Sequence, residues 1–209
     1  MNEQKGGIDP REQRRLDKRQ AIVDAARDSF LRNGYASTSM SGLLKTVGGS
    51  KATLWAYFRS KEELFEAILE PAMAFMQVDV EHSLQTRGSI EAVVTNFCRR
   101  FMKANEQPES LDLWRLIAAE SGRFPEVARV FRERVVSVTE DALAAYFEKG
   151  VQSGLLRQED CLSMARVLLS LCINRLDRKL WSDPDVESQV PVEAEASWLA
   201  SIFLRAFAT

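Results

Sequence analysis

Length, composition and charge place the chain among ordinary globular proteins and restrict where a polyanion could bind. With 209 residues and 45% hydrophobic side chains, the chain can form a small domain and a larger one with its own core. The net charge is −2, but residues 1–60 contain eleven Lys and Arg against six Asp and Glu. The rest of the chain is acidic, so the basic surplus that would attract phosphate groups coincides with the N-terminal part of the chain.

The cysteine and histidine content disfavours metal and disulfide chemistry. Cys98, Cys161 and Cys172 are widely separated, and His82 is the single histidine. We therefore expect no zinc site, no disulfide framework and no cofactor. Each cysteine fits a helical pattern as a small buried hydrophobe, with a thiol sensor as the alternative. Because no export signal or run of 18 apolar residues is present, the chain is predicted to be cytoplasmic.

The first predicted element is a flexible basic arm over residues 1–18, followed by a helix. The cations of the arm are expected to lie along phosphates or in a minor groove; the alternative is that they form the solvated start of a helix. They are Arg11, Arg14, Arg15, Lys18 and Arg19. The first helix is then predicted to run to about Asn33, where Gly34 ends it.

Residues 39–58, SMSGLLKTVGGSKATLWAYF, have the layout of a helix-turn-helix. Ser39 can cap a first short helix, Gly48 and Gly49 form the turn, and Ser50 can cap a second helix. The outer face of the second helix carries small and hydroxyl side chains, which suits close approach to a major groove. A purely structural role is the alternative, because two short packed helices are a common unit. The side chains predicted to face inward are Met40, Leu43, Leu44, Val47, Leu54 and Phe58.

A capping box, Ser60 and Glu63, is predicted to start the next helix. Lys61 and the backbone N–H groups of its first turn can meet a phosphate. Pro71 is predicted to kink or loosen this helix, because proline removes a backbone hydrogen bond. The helix is the continuous link between two predicted domains and is therefore the expected lever between them.

Three segments carry a family resemblance: residues 21–40 (AIVDAARDSFLRNGYASTSM), 50–58 (SKATLWAYF) and 60–68 (SKEELFEAI). Through them, residues 19–67 resemble the DNA-binding domain of the TetR family of bacterial transcriptional regulators. Residues 113–133, LWRLIAAESGRFPEVARVFRE, are similar to the C-terminal domain of the AefR-like branch of that family.

The sequence departs from the usual family pattern in and around the turn. Gly49 stands where the family usually has valine, and Leu44 stands where it usually has alanine. The larger side chain at position 44 is expected to fill the volume that the missing side chain at position 49 leaves. Gly42 inside the first short helix costs up to about 1 kcal/mol relative to alanine. Trp55 and Ala56 replace the common tyrosine and histidine, so the phosphate contacts of those residues cannot be transferred unchanged.

The resemblance implies an all-α protein with two domains. An N-terminal three-helix DNA-binding domain with a helix-turn-helix is expected over residues 19–65, and a larger helical domain for effector binding and dimerisation over residues 66–209. The candidate DNA-binding residues are Thr38, Ser39, Ser50, Lys51, Ala52, Thr53, Trp55, Ala56, Tyr57 and Lys61.

The second predicted domain reads as helices near residues 89–104, 109–121, 125–149, 160–180 and 191–207, with no convincing strand. The last two helices carry long apolar stripes, and the resemblance implies that they form a four-helix bundle with their copies in a second subunit. A monomeric core is the alternative for these stripes.

The resemblance also implies a small-molecule cavity in the second domain. Mainly apolar walls would suit a hydrophobic or amphipathic effector, whose binding would move the linking helix and release DNA. Each candidate lining residue is equally compatible with a role in the core alone. The candidates are Phe75, Met76, Phe97, Phe101, Trp114, Leu116, Ile117, Phe131 and Phe147.

The predicted function is a ligand-responsive transcriptional regulator, a repressor by family tendency, that binds a palindromic operator as a homodimer. Two recognition helices held about 34–36 Å apart by a two-fold axis can read such a palindrome. An enzyme is disfavoured, because the chain has a single histidine, no glycine-rich phosphate loop after a strand and no serine at a strand-turn-helix elbow. A helical interaction module is the other alternative, and it predicts no salt-dependent binding of DNA.

Overall fold

The structure, a computed structural model, describes residues 9–70, 88–181 and 190–209. Within these ranges the regular structure is helical, apart from an isolated antiparallel bridge between Leu156 and Ala208. The predicted all-α class is therefore confirmed. The chain divides into two compact units, Met1–Leu69 and Glu70–Thr209, which we call unit 1 and unit 2.

The helices of unit 1 are those of the predicted helix-turn-helix domain. Helix α1 is Pro10–Ser37, α2 is Met40–Val47 and α3 is Lys51–Tyr57; α4 begins at residue 61 and is described as far as residue 70. The Ser60 hydroxyl caps α4 by accepting a hydrogen bond from the Glu63 N–H at 3.0 Å. The Glu63 carboxylate accepts from the N–H of Arg59 at 2.6 Å, one residue before the position that a regular capping box uses.

Helix α1 begins earlier than predicted. Asp9 caps it by accepting a hydrogen bond from the Arg11 N–H at 3.0 Å, and Pro10 occupies its first turn. Residues 10–18, predicted as part of a flexible arm, are therefore helical in this structure, and a contact of their cations with phosphate stays a prediction. Helical geometry breaks at Gly34, whose φ is 80°, in agreement with the predicted end near Asn33.

An aromatic cluster joins α1 to α4 in the core of unit 1. The rings of Phe30, Tyr35 and Phe65 lie with centroids 5.3 to 6.2 Å apart, two of the three pairs edge to face. Leu54 and Phe58, predicted to face inward from α3, are both buried. The two short helices are thus attached to a core built mainly by the longer helices on either side of them.

Unit 2 contains the remaining helices. They are α5 (Ile90–Asn105), α6 (Pro108–Glu120), α7 (Pro125–Phe131), α8 (Ser137–Gln152), α9 (Cys161–Trp181) and α10 (Val192–Phe207). A π-helical turn, Arg132–Val136, joins α7 directly to α8, so the segment predicted as one helix over residues 125–149 is continuous but not uniform. Pro71, Phe75, Met76, His82 and the predicted loop at residues 182–184 lie outside the described residues. In the described ranges, no helix has the combined length and apolar character that crossing a membrane requires.

The main core of unit 2 lies between α5, α8, α9 and α10. It includes Phe97, Phe147 and Phe203, each 0–1% exposed. Cys98 and Cys172 are buried in the same core, where a hydrogen bond with Cys98 and burial together raise the pKa of the Cys172 thiol. A raised pKa keeps a thiol protonated and unreactive, which favours the interpretation of Cys172 as a buried hydrophobe.

A buried charge network connects three helices of unit 2. Arg175 of α9 is 4% exposed and pairs with Glu106, which follows α5, and with Glu195 of α10. The Arg175 guanidinium also donates a hydrogen bond to the Val190 carbonyl at 2.9 Å. Desolvation tends to raise the pKa of the Glu195 carboxyl, but hydrogen bonds from Arg175 and Arg178 outweigh it, so that the pKa is lowered. No local sequence pattern indicated this network.

Candidate nucleic-acid interface

Two serine caps and a glycine turn define the helix-turn-helix as predicted. The Ser39 hydroxyl accepts a hydrogen bond from the Gly42 N–H at 3.0 Å at the start of α2. The Ser50 hydroxyl accepts from the Thr53 N–H at 3.1 Å at the start of α3. Each cap satisfies a backbone donor that has no partner within its own helix. Both helices therefore begin at residues that the local sequence specifies.

The turn between α2 and α3 depends on two glycines. Gly48 has φ 64° and Gly49 has φ 107°, a region that side chains with a Cβ rarely adopt. The Gly48 N–H closes α2 by donating to the Leu44 carbonyl at 2.9 Å. A Cβ built at either glycine would have no heavy atom within 4 Å. Among the residues that the structure describes, none is packed against these two positions of the turn.

Helix α3 has an inner apolar face and an outer face that includes small side chains. Leu54 and Phe58 are buried, whereas Lys51, Ala52 and Ala56 are exposed. Trp55 is 41% exposed at the edge of the outer face, where its indole N–H is a potential donor. Thr53 and Tyr57 are half-buried. A surface with two alanines between a cation and an aromatic ring allows a second surface to approach the helix backbone closely.

Four of the candidate hydroxyl groups already make hydrogen bonds within unit 1, among them that of Ser39, which caps α2. Thr38 is 4% exposed, and its hydroxyl lies 2.8 Å from the Ser29 hydroxyl and donates to the Gly34 carbonyl at 3.1 Å. The hydroxyls of Ser50 and Thr53 lie 2.8 Å apart. The side chain of Thr38 is therefore buried with both hydrogen-bonding partners inside unit 1, and no local pattern indicated its contact with Ser29.

Lys61 has partners within unit 1 in addition to any that DNA would supply. Its ammonium nitrogen lies 4.2 Å from the centroid of the Tyr35 ring and 5.9 Å from that of Phe30, and it donates to the Ala36 carbonyl at 3.3 Å. These contacts are cation–π interactions and a hydrogen bond that attach the start of α4 to the end of α1. Lys61 thus has a structural role that the prediction of a phosphate contact did not include.

The cations of the predicted arm divide into two groups along α1. Arg11, Arg14 and Arg15 are exposed, but Arg15 pairs with Glu12 at 2.9 Å, and this hydrogen bond lowers the pKa of the Glu12 carboxyl. Lys18 and Arg19, in contrast, are half-buried and turn toward the helix-turn-helix. The arm is therefore not a uniform cationic surface.

The candidate effector-binding residues that the structure describes fall into two groups in unit 2. Phe97, Phe101 and Phe147 belong to the main core, where Phe97 and Phe101 stack with centroids 5.6 Å apart. Ile117 and Phe131 are buried on α6 and α7 and are not members of that core cluster. There the Phe131 and Trp114 rings meet edge to face with their centroids 4.8 Å apart. The described candidates thus lie in two groups, and their role in effector binding stays a prediction.

A polar residue that the sequence analysis missed accompanies the second group. The Trp114 indole N–H donates to the Asn105 side-chain oxygen at 2.8 Å, and the Asn105 amide donates to the Phe101 carbonyl at 2.9 Å. Asn105 thereby links α5 to α6. A single asparagine at a helix end carries no pattern that would have distinguished it from a solvent-exposed cap.

Two parts of the chain match known families. Residues 22–68 match the family described as bacterial regulatory proteins, tetR family. Residues 92–209 match the family described as AefR-like transcriptional repressor, C-terminal domain. Together these matches cover the helix-turn-helix and almost all of the described part of unit 2.

Individual transcriptional regulators are also similar to this chain in sequence and in structure. The chain is 30% identical over 158 residues to the HTH-type transcriptional regulator UidR of Escherichia coli (strain K12), which covers 73% of this chain and 76% of UidR. The structure is similar to that of the flavonoid-responsive regulator FrrA, with a TM-score of 0.75, 31% identity, and coverage of 92% of this chain and 98% of FrrA. It is also similar to a putative TetR-family regulator from Mesorhizobium loti MAFF303099, with a TM-score of 0.77 at 23% identity and coverage of 94% and 99%.

Proposed function

We propose, from the premise that this chain belongs to the TetR family of transcriptional regulators with an AefR-like C-terminal domain, that it is a repressor released from a palindromic operator by a small effector. The family is one of helix-turn-helix DNA-binding regulators and not of enzymes. Its members bind operator DNA and small-molecule effectors. The operator, the effector and the site residues of this particular chain are the subject of the proposal, together with action in the cytoplasm, where bacterial DNA lies.

The observation that carries the proposal is the outer face of α3. Lys51, Ala52 and Ala56 are exposed on a helix that is capped at its start by Ser50 and anchored by Leu54. In a helix-turn-helix, the N-terminal residues of the second helix contact base edges in the major groove. Small side chains permit the close approach that such contacts need, and a cation adds attraction to phosphate. Trp55 and Tyr57 then border the face as further candidates for contacts.

We propose different functions for the two units. Unit 1 supplies the contacts with DNA, and unit 2 supplies the effector site and the dimer contact through α9 and α10. Effector binding is proposed to change the separation of the two copies of unit 1 through α4, with a coupling of about 1–3 kcal/mol. The aromatic residues Trp114 and Phe131, 4.8 Å apart, favour an apolar or aromatic effector, and the relative FrrA is named as flavonoid-responsive.

Selection of bound duplexes from a random DNA library tests the DNA-binding part of this proposal. We expect the selected sequence to be palindromic, because a two-fold dimer presents two copies of the same helix. Fluorescence anisotropy at several salt concentrations should show binding much tighter than to a scrambled duplex. Compounds that release this operator can then be screened, beginning with planar aromatic molecules.

Lys51→Ala is the matched variant for this measurement. We expect weaker binding and a salt slope lowered by about one unit, because one phosphate-neutralising charge is lost. Lys149→Ala removes the same charge from an exposed position of α8 in unit 2 and should leave affinity and slope unchanged. Enrichment of no sequence, or equal effects of the two substitutions, would contradict the proposed interface.

A further inference from the structure

Two consecutive cations of α1 contact residues on either side of the recognition helix α3 along the chain. The Lys18 ammonium donates a hydrogen bond to the Val47 carbonyl at 2.7 Å and lies 3.3 Å from the Gly48 carbonyl. Both carbonyls belong to the end of α2 and the turn that leads into α3. The guanidinium carbon of Arg19 lies 5.4 Å from the centroid of the Phe58 ring, and Phe58 is the residue that ends α3.

The Val47 and Gly48 carbonyls that accept from Lys18 lie at the C-terminal end of α2, where a nearby cation stabilises a helix. The last carbonyl groups of a helix have no donor within that helix and carry the negative end of its dipole. A lysine ammonium nearby satisfies them and compensates the partial charge. The contact spans 29 positions in the sequence and is partly buried, so it attaches the turn to a long helix that is itself fixed in the core.

The turn has few other restraints on its outer side. Gly48 and Gly49 both have positive φ, and a Cβ at either position would meet nothing within 4 Å. A glycine pair has more accessible backbone conformations than any other pair of residues. A change of conformation at this pair would rotate the whole of α3 relative to α2, because the turn is the covalent link between them.

We propose that Lys18 is a positioning residue for DNA recognition, which fixes the orientation of α3 by holding the carbonyls of the Gly48-Gly49 turn. The seven residues of α3 form a helix about 10 Å long. A rotation of roughly 10° at the turn would therefore displace its far end by about 2 Å, which exceeds the tolerance of a hydrogen bond to a base. This inference depends on the proposed operator binding, and it assigns to Lys18 a role inside the protein, in place of a contact with phosphate.

Lys18→Met and Lys18→Arg separate these two roles. Methionine keeps an unbranched side chain without the ammonium, and arginine keeps a charged donor. With the selected operator, we expect Lys18→Met to lose about tenfold in affinity, the scale of a hydrogen bond to a charged group. Affinity for a scrambled duplex and the salt slope should stay at the wild-type values, and Lys18→Arg should recover most of the loss. Arg14→Met is the control, since Arg14 is an exposed cation of the same helix and should not change discrimination between the duplexes.

A direct contact between Lys18 and a DNA phosphate would give a different result. If Lys18→Met weakened binding to both duplexes equally and lowered the salt slope by about one unit, or if it left operator affinity unchanged, the positioning role would be overturned.

Hydrogen exchange without DNA provides an independent readout. We expect the amides of residues 48–53 to exchange faster in Lys18→Met at a temperature where the amides of Ile22 and Ala26 remain protected. Unchanged exchange over residues 48–53 would overturn the proposal whatever the DNA measurements show. If the wild-type protein selects no operator, the proposed function fails, and this measurement still decides whether Lys18 holds the turn.

Discussion

The hydroxyl of Thr38 is enclosed by two partners in unit 1. It lies 2.8 Å from the Ser29 hydroxyl and donates to the carbonyl of Gly34 at 3.1 Å, where α1 loses helical geometry. The hydrogen bond to Gly34 therefore stabilises the segment between the break in α1 and the start of α2. A buried hydroxyl with two partners contributes to stability and has little remaining capacity to bind DNA.

Thr38→Val should destabilise unit 1 without a specific effect on DNA binding. Valine keeps the shape of threonine but leaves the Gly34 carbonyl and the Ser29 hydroxyl without their buried partner, which should lower the free energy of unfolding by about 1–3 kcal/mol. Urea denaturation measures this change. Thr46→Val is the control: Thr46 is an exposed threonine of α2, and its replacement should change stability by no more than about 0.5 kcal/mol. Normal stability combined with lost operator affinity in Thr38→Val would instead identify the hydroxyl as a contact with DNA.

Local sequence predicted the interactions that span few residues and missed those that span many. Ser39 and Ser50 cap the helices that follow them, and Gly34 breaks α1, because each of these effects depends on neighbours within about four positions. The contacts of Thr38 with Ser29 and of Lys18 with Val47 require the fold to bring distant side chains together. No periodicity or spacing in one sequence encodes such a contact.

At the scale of helices, the positions of the elements followed from hydrophobic periodicity, whereas their irregularities did not. The helix predicted over residues 125–149 is present, but the π-helical turn Arg132–Val136 interrupts it. Within the turn Val135 is buried, and its carbonyl accepts a hydrogen bond from the buried Thr139 hydroxyl at 3.0 Å. A π turn adds one residue to a helical turn without ending the apolar pattern, so hydrophobic periodicity did not reveal it.

The buried Arg175 side chain connects α5, α9 and α10, so its replacement should lower the stability of unit 2. Arg175→Met leaves Glu106 and Glu195 in buried surroundings without their main partner, and breaking a buried pair costs about 3–5 kcal/mol. Arg178→Met is the matched control: Arg178 pairs with the same Glu195 but is 48% exposed, so its loss should cost about 1 kcal/mol or less. Urea denaturation at neutral pH measures the free energy of unfolding of both variants. Equal decreases for Arg175→Met and Arg178→Met would show that burial does not determine how much each ion pair stabilises the protein.

The same network predicts a dependence of stability on pH. Because the pKa of Glu195 is lower in the folded protein, the unfolded chain binds more protons in acid, and stability must fall as pH falls. The contribution is complete above the unfolded pKa of about 4.3 and is lost as pH falls through the lowered folded value. The difference between wild type and Arg175→Met should therefore shrink in acid. A difference that stays constant from neutral pH to roughly pH 3 would contradict the assignment of Glu195 as a charged partner.

At the scale of the whole molecule, the exposed apolar side chains of α9 and α10 suit contact with a second surface. Val167 of α9 is 42% exposed and Trp198 of α10 is 59% exposed, although Leu168 and Leu199 beside them are buried. Large aromatic residues are enriched in the centres of protein interfaces. A two-fold axis would place the same patch of one subunit against its copy in the other, which agrees with the dimer that we propose.

Trp198→Glu should convert this dimer into monomers and thereby weaken operator binding. Analytical ultracentrifugation gives the association state, and we expect a dimer for the wild type and a monomer for the variant, since two buried carboxylates would face each other across the axis. Leu155→Glu is the control, because Leu155 is 51% exposed but lies in the turn between α8 and α9. A dimeric Trp198→Glu variant would place the interface elsewhere.

The operator measurement then separates dimerisation from damage to the DNA-binding unit. Linking two binding modules raises affinity by about 10²–10⁴ over one module, so a monomeric variant should lose at least about a hundredfold on the palindrome. On a duplex that contains a single half-site, the variant should bind as the wild type does, because α3 and its caps are unchanged. If half-site binding fell as well, Trp198 would affect unit 1 itself, and the loss could not be attributed to the missing second subunit.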